Sequence, residues 1–313
     1  MHVRVLGGGV SGLTCAVALR SRGHDVTLVA ERLPPHTTSS VAAAFWYPYK
    51  ADPPDRVLGW AKTSHARFVA LAADPATGIR VREVVEVVDD AARPWWADAV
   101  PSLRAAAAER LPRGAAHGWC FEAPVIDTRM YLPHLRAWFE REGGVIDVRR
   151  CTDLRELAAP IVVNCTGLGA RELCGDESLV PIRGQLVYIE NPGIDTVLLD
   201  EADPGTITYV VPRGDDCVLG GTTLPGETSL EHDPDAAQSI LDRTAVLEPR
   251  LRGARVIAHA VGLRPGRITV RLEAEALGDG RTIVHDYGHG GAGVTLSWGC
   301  ADEVCTLVDA AAR

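Results

Sequence analysis

The opening HVRVLGG, residues 2–8, is a short β-branched apolar run closed by glycine, the pattern of a buried strand. VSGLTCAVALRSRG follows with apolar residues at helical spacing and Gly23 placed to cap the C-terminus. HDVTLVAE repeats the buried-strand pattern and ends on Glu31, so a strand–turn–helix–strand unit is predicted at the start. An amphipathic helix is predicted from Pro54 to Ala73, an alternating strand for VREVVEVVDD, and loops with a short helix across 91–115. FEAPVID reads as strand, and TRMYLPHLRAWFEREGG as a helix stopped by Gly143 and Gly144. VIDVRR, IVVNCTG and GQLVYIE read as strands, and TYVVPRGDDCVLGGTT as a hairpin turning at RGDD. DPDAAQSILDRTAVLEPRL is predicted helical with Asp233 as its N-cap, and ARVIAHAVGLRPGRITVRLE as strand, break, strand. A final helix runs from about Gly293 to Ala312. Helices and strands alternate at both ends and the middle is richer in strand. That order predicts an α/β fold whose nucleotide-binding core is interrupted by an antiparallel layer.

Composition narrows the partners. The 313 residues suit one large or two modest domains. A net charge of -9 argues against nucleic acid, which needs a basic face. No apolar run is long enough for a transmembrane helix, and the first residues read as strand and turn rather than a signal peptide. Eight scattered cysteines with no C-x-x-C pair point to reduced thiols and a cytoplasmic setting. Only two lysines, Lys50 and Lys62, occur among abundant arginine and alanine, which suggests a GC-rich bacterial genome.

Gly7, Gly9 and Gly12 form G-x-G-x-x-G between the first strand and first helix. In that context the glycines allow a tight turn, approach of a pyrophosphate, and close helix–strand packing, and the helix N-terminus offers N–H groups to phosphate. Glu31, about 20 residues on, stands where an acid can bind ribose hydroxyls. The motif alone leaves NAD and FAD open. IVVNCTGLGA supplies a second strand that ends in small residues at Thr166 and Gly167, compatible with another close backbone approach or with an ordinary turn.

VLGGGVSGL, TTSSVAAAFWYPY, VVNCTGLGA, RGQL, YVVP, GLRPGR and HDYGHGGAGVTLSWGCA occur in the order seen in the D-amino-acid oxidases, and the chain resembles that family over nearly its whole length. The wider class includes D-aspartate oxidase and glycine oxidase. The resemblance implies a Rossmann-like FAD-binding domain (1–52, 130–178, 258–313) interleaved with an antiparallel β-rich substrate domain (53–129, 179–257). It implies non-covalent FAD, with Gly7, Gly9 and Gly12 at the pyrophosphate, Glu31 at the ribose, and Arg32, Thr37 and Thr38 near the nucleotide. Ala43, Ala44 and Phe45 would pass the flavin ring, with Gly167, Gly290, Gly293, Val294 and Thr295 also against the cofactor. The helix starting near Gly293 would point its positive end at the flavin.

For the substrate, the resemblance places Arg264 on the α-carboxylate, where a guanidinium can make two parallel hydrogen bonds. Tyr209 would reach the same carboxylate, although a tyrosine filling a sheet face remains open, and the Gly291 carbonyl would accept from the amine. The implied reaction passes a hydride from the substrate Cα to flavin N5. Oxygen is the acceptor, and a 2-oxo acid, ammonia and hydrogen peroxide are the products. The protein's part is alignment, with no general base required. Departures leave substrate preference open: the segment DEADPGTIT before Tyr209 is short, Tyr47 stands where glutamine is common, and Phe45 where leucine is common. Glu201 and Asp203 could favour cationic side chains or form a solvated acidic pair. The chain stops at AAAR, without a peroxisomal ending. His285 and His289 are four apart, but the glycines at 288, 290 and 291 argue against a helix and no third ligand is evident, so no metal is expected. Two other activities stay open: an oxidase of glycine or N-substituted glycine in a biosynthetic pathway, and a flavin-binding paralogue without turnover. The oligomeric state is open to a homodimer.

Overall fold

In the computed structural model, which describes residues 1–48, 51–112, 114–201 and 207–312, the first unit forms as its pattern predicts. Strand β1 (His2–Leu6) feeds helix α1 (Val10–Ser21), which returns to strand β2 (Asp25–Ala30). Val3, Val5, Leu13, Val17, Leu19 and Leu28 are fully buried, because β1 is flanked by strands on both edges and α1 is covered all round. Helix α2 (Pro54–Leu71) precedes β3 (Ile79–Val88), β4 (Arg104–Ala105) and β5 (His117–Ile126). Then come α3 (Thr128–Arg141), β6 (Val145–Val148), β7 (Ile161–Asn164) and the short α4 (Ala170–Leu173). The middle holds β8 (Val180–Glu190), β9 (Val197–Asp200), β10 (Thr208–Pro212), β11 (Asp216–Gly220) and β12 (Leu224–Pro225). Helix α5 (Pro234–Leu247), β13 (Val256–Gly266), β14 (Arg271–Ala276), β15 (Thr282–Tyr287) and α6 (Gly293–Ala311) complete the chain.

Two sheets result. The first has the order β14-β15-β7-β1-β2-β6, with β15, β7, β1, β2 and β6 parallel and β14 antiparallel at one edge. The second runs β12-β8-β11-β10-β9-β3-β5-β4, with β13 also pairing β8. It is antiparallel throughout except for the β3–β9 contact. The mixed α/β class follows directly. The boundary expected at residue 258 falls inside β13, whose whole length belongs to the second sheet. Likewise α2, expected with the substrate half, packs on α6, and a Cβ on Gly299 would lie 2.3 Å from the Trp60 backbone.

Several local expectations change. Asp127, read as the end of a strand, caps α3 by accepting from Arg129 N–H. The hairpin turns at RGDD as predicted, and within the turn Arg213 and Asp216 are buried and ion-paired. Strands β9 and β15 add to the predicted elements, and the C-terminal glycine loop begins at Gly288, directly after β15. Asp203 and most of the segment before Tyr209 lie outside the described residues.

Candidate active site

A cavity of about 770 Å³ follows the carboxyl ends of the parallel strands. That edge is where open α/β sheets bind ligands. Strand order sets the sequence of its walls: Arg150 after β6, Glu31 and Arg32 after β2, Gly7 and Gly9 after β1, Thr166 and Gly167 after β7, and Gly290 to Thr295 after β15. Thr37, Thr38, Ala43, Ala44 and Phe45 form another wall, and Tyr209, Arg264 and Gly291 stand beside the last loop.

The glycines divide their work. Gly7 has φ +121, and a Cβ there would lie 2.4 Å from the Cys165 carbonyl oxygen. Gly12, expected at the pyrophosphate, does not line the cavity; its Cβ would lie 1.9 Å from the Gly7 carbonyl oxygen, so its place in the motif is to bring α1 against the turn. Neither α1 nor α6 has a side-chain cap from its own N-cap residue, Gly9 and Ala292. Ser39, unremarked in the sequence, closes one α1 donor by accepting from Val10 N–H at 3.0 Å. Two helix N-termini and a glycine-lined trough on one elongated cavity fit a dinucleotide with a pyrophosphate at its centre.

Thr295 lines the cavity, but its hydroxyl is committed to the chain. It donates to the Tyr47 carbonyl at 3.0 Å and accepts from the Tyr47 N–H at 3.2 Å. Ala44, at φ +52, adopts a left-handed conformation unusual for a residue with a Cβ. It is held there because Ile126 N–H donates to its carbonyl and Trp46 N–H donates to Pro124. The strained segment 44–47 is thus pinned to β5 on one side and α6 on the other. Gly290, at φ +54, donates its N–H to the Pro265 carbonyl, which joins the loop to the strand carrying Arg264.

Arg264 and Tyr209 share an unexpected device. Arg264 projects from β13 over Gly184 of β8, where a Cβ would meet the guanidinium at 2.4 to 2.6 Å. Its Nη1 donates to the Thr222 carbonyl at 3.0 Å. Tyr209, on β10, lies over its cross-strand partner Gly220, whose Cβ would meet the ring at 2.0 to 2.3 Å. Each polar group therefore lies flat on bare backbone. Gly184→Ala is expected to push the guanidinium aside and lower kcat/KM by about 10²-fold, a typical effect of an ångström-scale misplacement, with little change in flavin absorbance. Unchanged kinetics would show that Arg264 is not used in this position.

Beyond Tyr209, Phe45 and Tyr47 continue an aromatic wall, with ring centroids 6.2 Å apart for Tyr209–Phe45 and 5.8 Å for Phe45–Tyr47. The Tyr47 hydroxyl faces Glu86 at 2.5 Å and Glu201 at 3.1 Å, so Glu201 is not part of a merely solvated pair. Burial pushes the Glu86 carboxyl up to about 7, against the Tyr47 hydrogen bond and with help from Glu201. A folded-state value raised above the unfolded one favours folding at low pH, and that contribution is lost as pH rises through about 7. Glu86→Gln is expected to flatten the fall in stability between about pH 4.5 and 7, by up to about 3 kcal/mol, measured by denaturant titration across that range. A parallel pH profile in the variant would contradict this assignment.

The two histidines are held by acidic and amide partners. His285 is buried, with one ring nitrogen 3.1 Å from Glu275 and the other 3.4 Å from Asn164. The Tyr287 hydroxyl donates to Asp176 at 2.9 Å and accepts from Arg271. His289 sits 3.0 Å from the buried Asp286. Asp286 also gathers Cys15 and Cys165, and separately His289 and Cys300, within metal-ligand range of one another. The Cys165 hydrogen bond and burial raise Cys15, and burial raises Cys165 and Cys300, so without a metal these groups stay thiols.

A parallel sheet whose carboxyl edge lines one long cavity, with the N-termini of α1 and α6 opening onto it, has the form of a dinucleotide site. Residues 2–307 match the model of the FAD dependent oxidoreductase family, and the chain belongs to that family. It is 51% identical over 311 residues to a D-amino-acid oxidase of Rubrobacter xylanophilus, covering 98% of this chain and 95% of that one. It is 48% identical over 310 residues to a D-amino-acid oxidase of Streptomyces coelicolor, covering 98% and 96%. Its fold resembles that of the glycine oxidase from Geobacillus kaustophilus, with a TM-score of 0.82 at 19% identity, covering 98% of this chain and 94% of that one.

Proposed function

We propose that this protein is a D-amino-acid oxidase. The observation that carries the reading is the pairing of Arg264 and Tyr209, each seated on a side-chain-free strand position at one end of the cavity. The two bacterial relatives near 50% identity, both D-amino-acid oxidases, support it. Bound FAD supplies the hydride acceptor. Arg264 would hold the α-carboxylate with a charge that persists at any working pH, and Tyr209 would add a hydroxyl donor. The Gly291 carbonyl would accept from the amine. Gly7, Gly9 and the α1 N-terminus would hold the pyrophosphate, Glu31 the ribose, and Arg32, Thr37 and Thr38 the neighbouring nucleotide. Ala43, Ala44, Phe45, Gly167, Gly290, Gly293, Val294 and Thr295 would enclose the flavin, mostly through backbone. Gly12 is assigned to packing and the Thr295 hydroxyl to Tyr47.

On this reading the six-stranded sheet is the cofactor half and the larger sheet the substrate half. A bacterial cytoplasmic setting is consistent with eight free cysteines. No helix among the described residues is long and apolar enough to cross a membrane. The decisive experiment follows peroxide release from the purified yellow protein over D-amino acids, L-amino acids, glycine and N-methylglycine. Turnover confined to D-amino acids with a Cα substituent is expected. Turnover of glycine or N-methylglycine alone would transfer the assignment to the alternative oxidase, and bound flavin without turnover on any of them would point to a non-catalytic paralogue.

A further inference from the structure

Tyr47 is a wall shared by the main cavity and a second chamber of about 260 Å³. That chamber is lined by Tyr47, Trp95 and Trp96 together with Asp52 and Glu201. Trp96 is buried and packs its edge on Tyr47 with ring centroids 5.6 Å apart, whereas Trp95 is 46% exposed at the rim. Behind Tyr47 stands Glu86, only 3% exposed, with one carboxyl oxygen that has no hydrogen-bond partner among the described residues. The Tyr47 hydroxyl has one proton and faces two carboxyl groups, so it can donate to only one of them. The surroundings are rich in acceptor oxygen and in aromatic faces, both of which attract positive charge.

We propose that this chamber is the side-chain subsite of the enzyme and takes the charged end of a cationic D-amino acid, an ammonium or guanidinium. The inference rests on the oxidase reading, which fixes the α-carboxylate at Arg264 and Tyr209. From that clamp the aromatic series Tyr209–Phe45–Tyr47 leads to the chamber, and Tyr47 is the side chain that stands between the two. Lysine and arginine fit such a path because each carries its charge at the end of a long flexible stem. The stem lies along Phe45 while the head meets Trp95, Trp96 and the carboxylates of Asp52 and Glu201. An acidic side chain directed the same way meets like charge.

The test compares D-lysine, D-arginine, D-norleucine and D-glutamate in the flavin-loaded protein. D-Norleucine has the length of lysine without its charge. kcat/KM for D-lysine is expected to exceed that for D-norleucine by about tenfold, with D-glutamate poorest. Glu201→Gln and Trp95→Ala should each shrink the lysine-to-norleucine ratio toward one while oxidation of D-norleucine continues. Trp95 stands at the exposed rim, so its variant remains informative even if the Glu201 variant misfolds. A wild-type ratio at or below one, or a ratio unmoved in both variants, overturns the subsite and leaves the oxidase assignment intact. Absence of turnover with all four overturns the subsite, and the oxidase reading falls with it only if the wider panel of D-amino acids also gives no peroxide.

Discussion

Arg264→Ala is expected to lower kcat/KM for a D-amino acid by on the order of 10²–10³-fold while flavin absorbance is retained. The guanidinium lies flat on Gly184, is tethered at one nitrogen to the Thr222 carbonyl, and presents the rest of its fork to the cavity. Alanine removes both the charge and the planar fork that fixes the carboxylate at two points. Arg264→Lys keeps the charge and loses the fork, so its activity should fall between the two. A single hydrogen bond to a backbone carbonyl gives Arg264 little structural burden, so melting temperature should hardly move. Steady-state kinetics with a melting curve separates these effects. Full activity in the alanine variant would remove Arg264 from the site.

The second large effect concerns stability. Arg213→Met is expected to destabilise the fold by about 3–5 kcal/mol, which lowers the melting temperature by on the order of 10 °C. Arg213 has a side chain 1% exposed and is bonded to both Asp216 oxygens at 3.2 and 2.7 Å, with Asp127 at 3.9 Å. Its guanidinium also stacks on Tyr188 at 4.9 Å. Burial raises the Asp127 carboxyl, yet the Arg129 hydrogen bonds and the Arg213 charge outweigh it and hold it below the usual range. Removing Arg213 leaves the half-exposed Arg129 as the remaining cation on two buried carboxylates. Adding Asp216→Asn to the variant should recover part of the loss. If calorimetry shows simple additivity, the network is not coupled.

The two glycine loops, the early strand–helix–strand unit and Glu31 just past the end of β2 could be read directly, because each follows from local pattern. The seats of Arg264 and Tyr209 could not. Gly184 and Gly220 matter through cross-strand register, which no local window contains. Ser39 looked like one hydroxyl in a polar run, and its value lies in meeting Val10 from a distant loop. Glu86 was one more polar position in an alternating strand. Only the fold shows that its face of β3 turns inward, toward Tyr47. RGDD reads as a turn and is one; its ion pairs with Asp127 and Arg129 are tertiary, and the local sequence does not contain them. Strand β9 adjoins the short segment before Tyr209, and it enters the sheet beside β3, far away in sequence.

The Gly290 N–H donates to the Pro265 carbonyl, one residue past Arg264. The flavin-facing loop and the substrate clamp are therefore tied across a single turn of chain, although they serve different ligands. Recombination between relatives meets this directly. A chimera that exchanges residues 179–257 as a cassette cuts β13 inside its pairing with β8, separating Gly184 from the arginine it seats. A junction after Gly266 keeps β8 and β13 from one parent, and the Gly290 contact then joins the β3–β9 pairing and the Arg129–Asp216 ion pair among those to be matched across the graft.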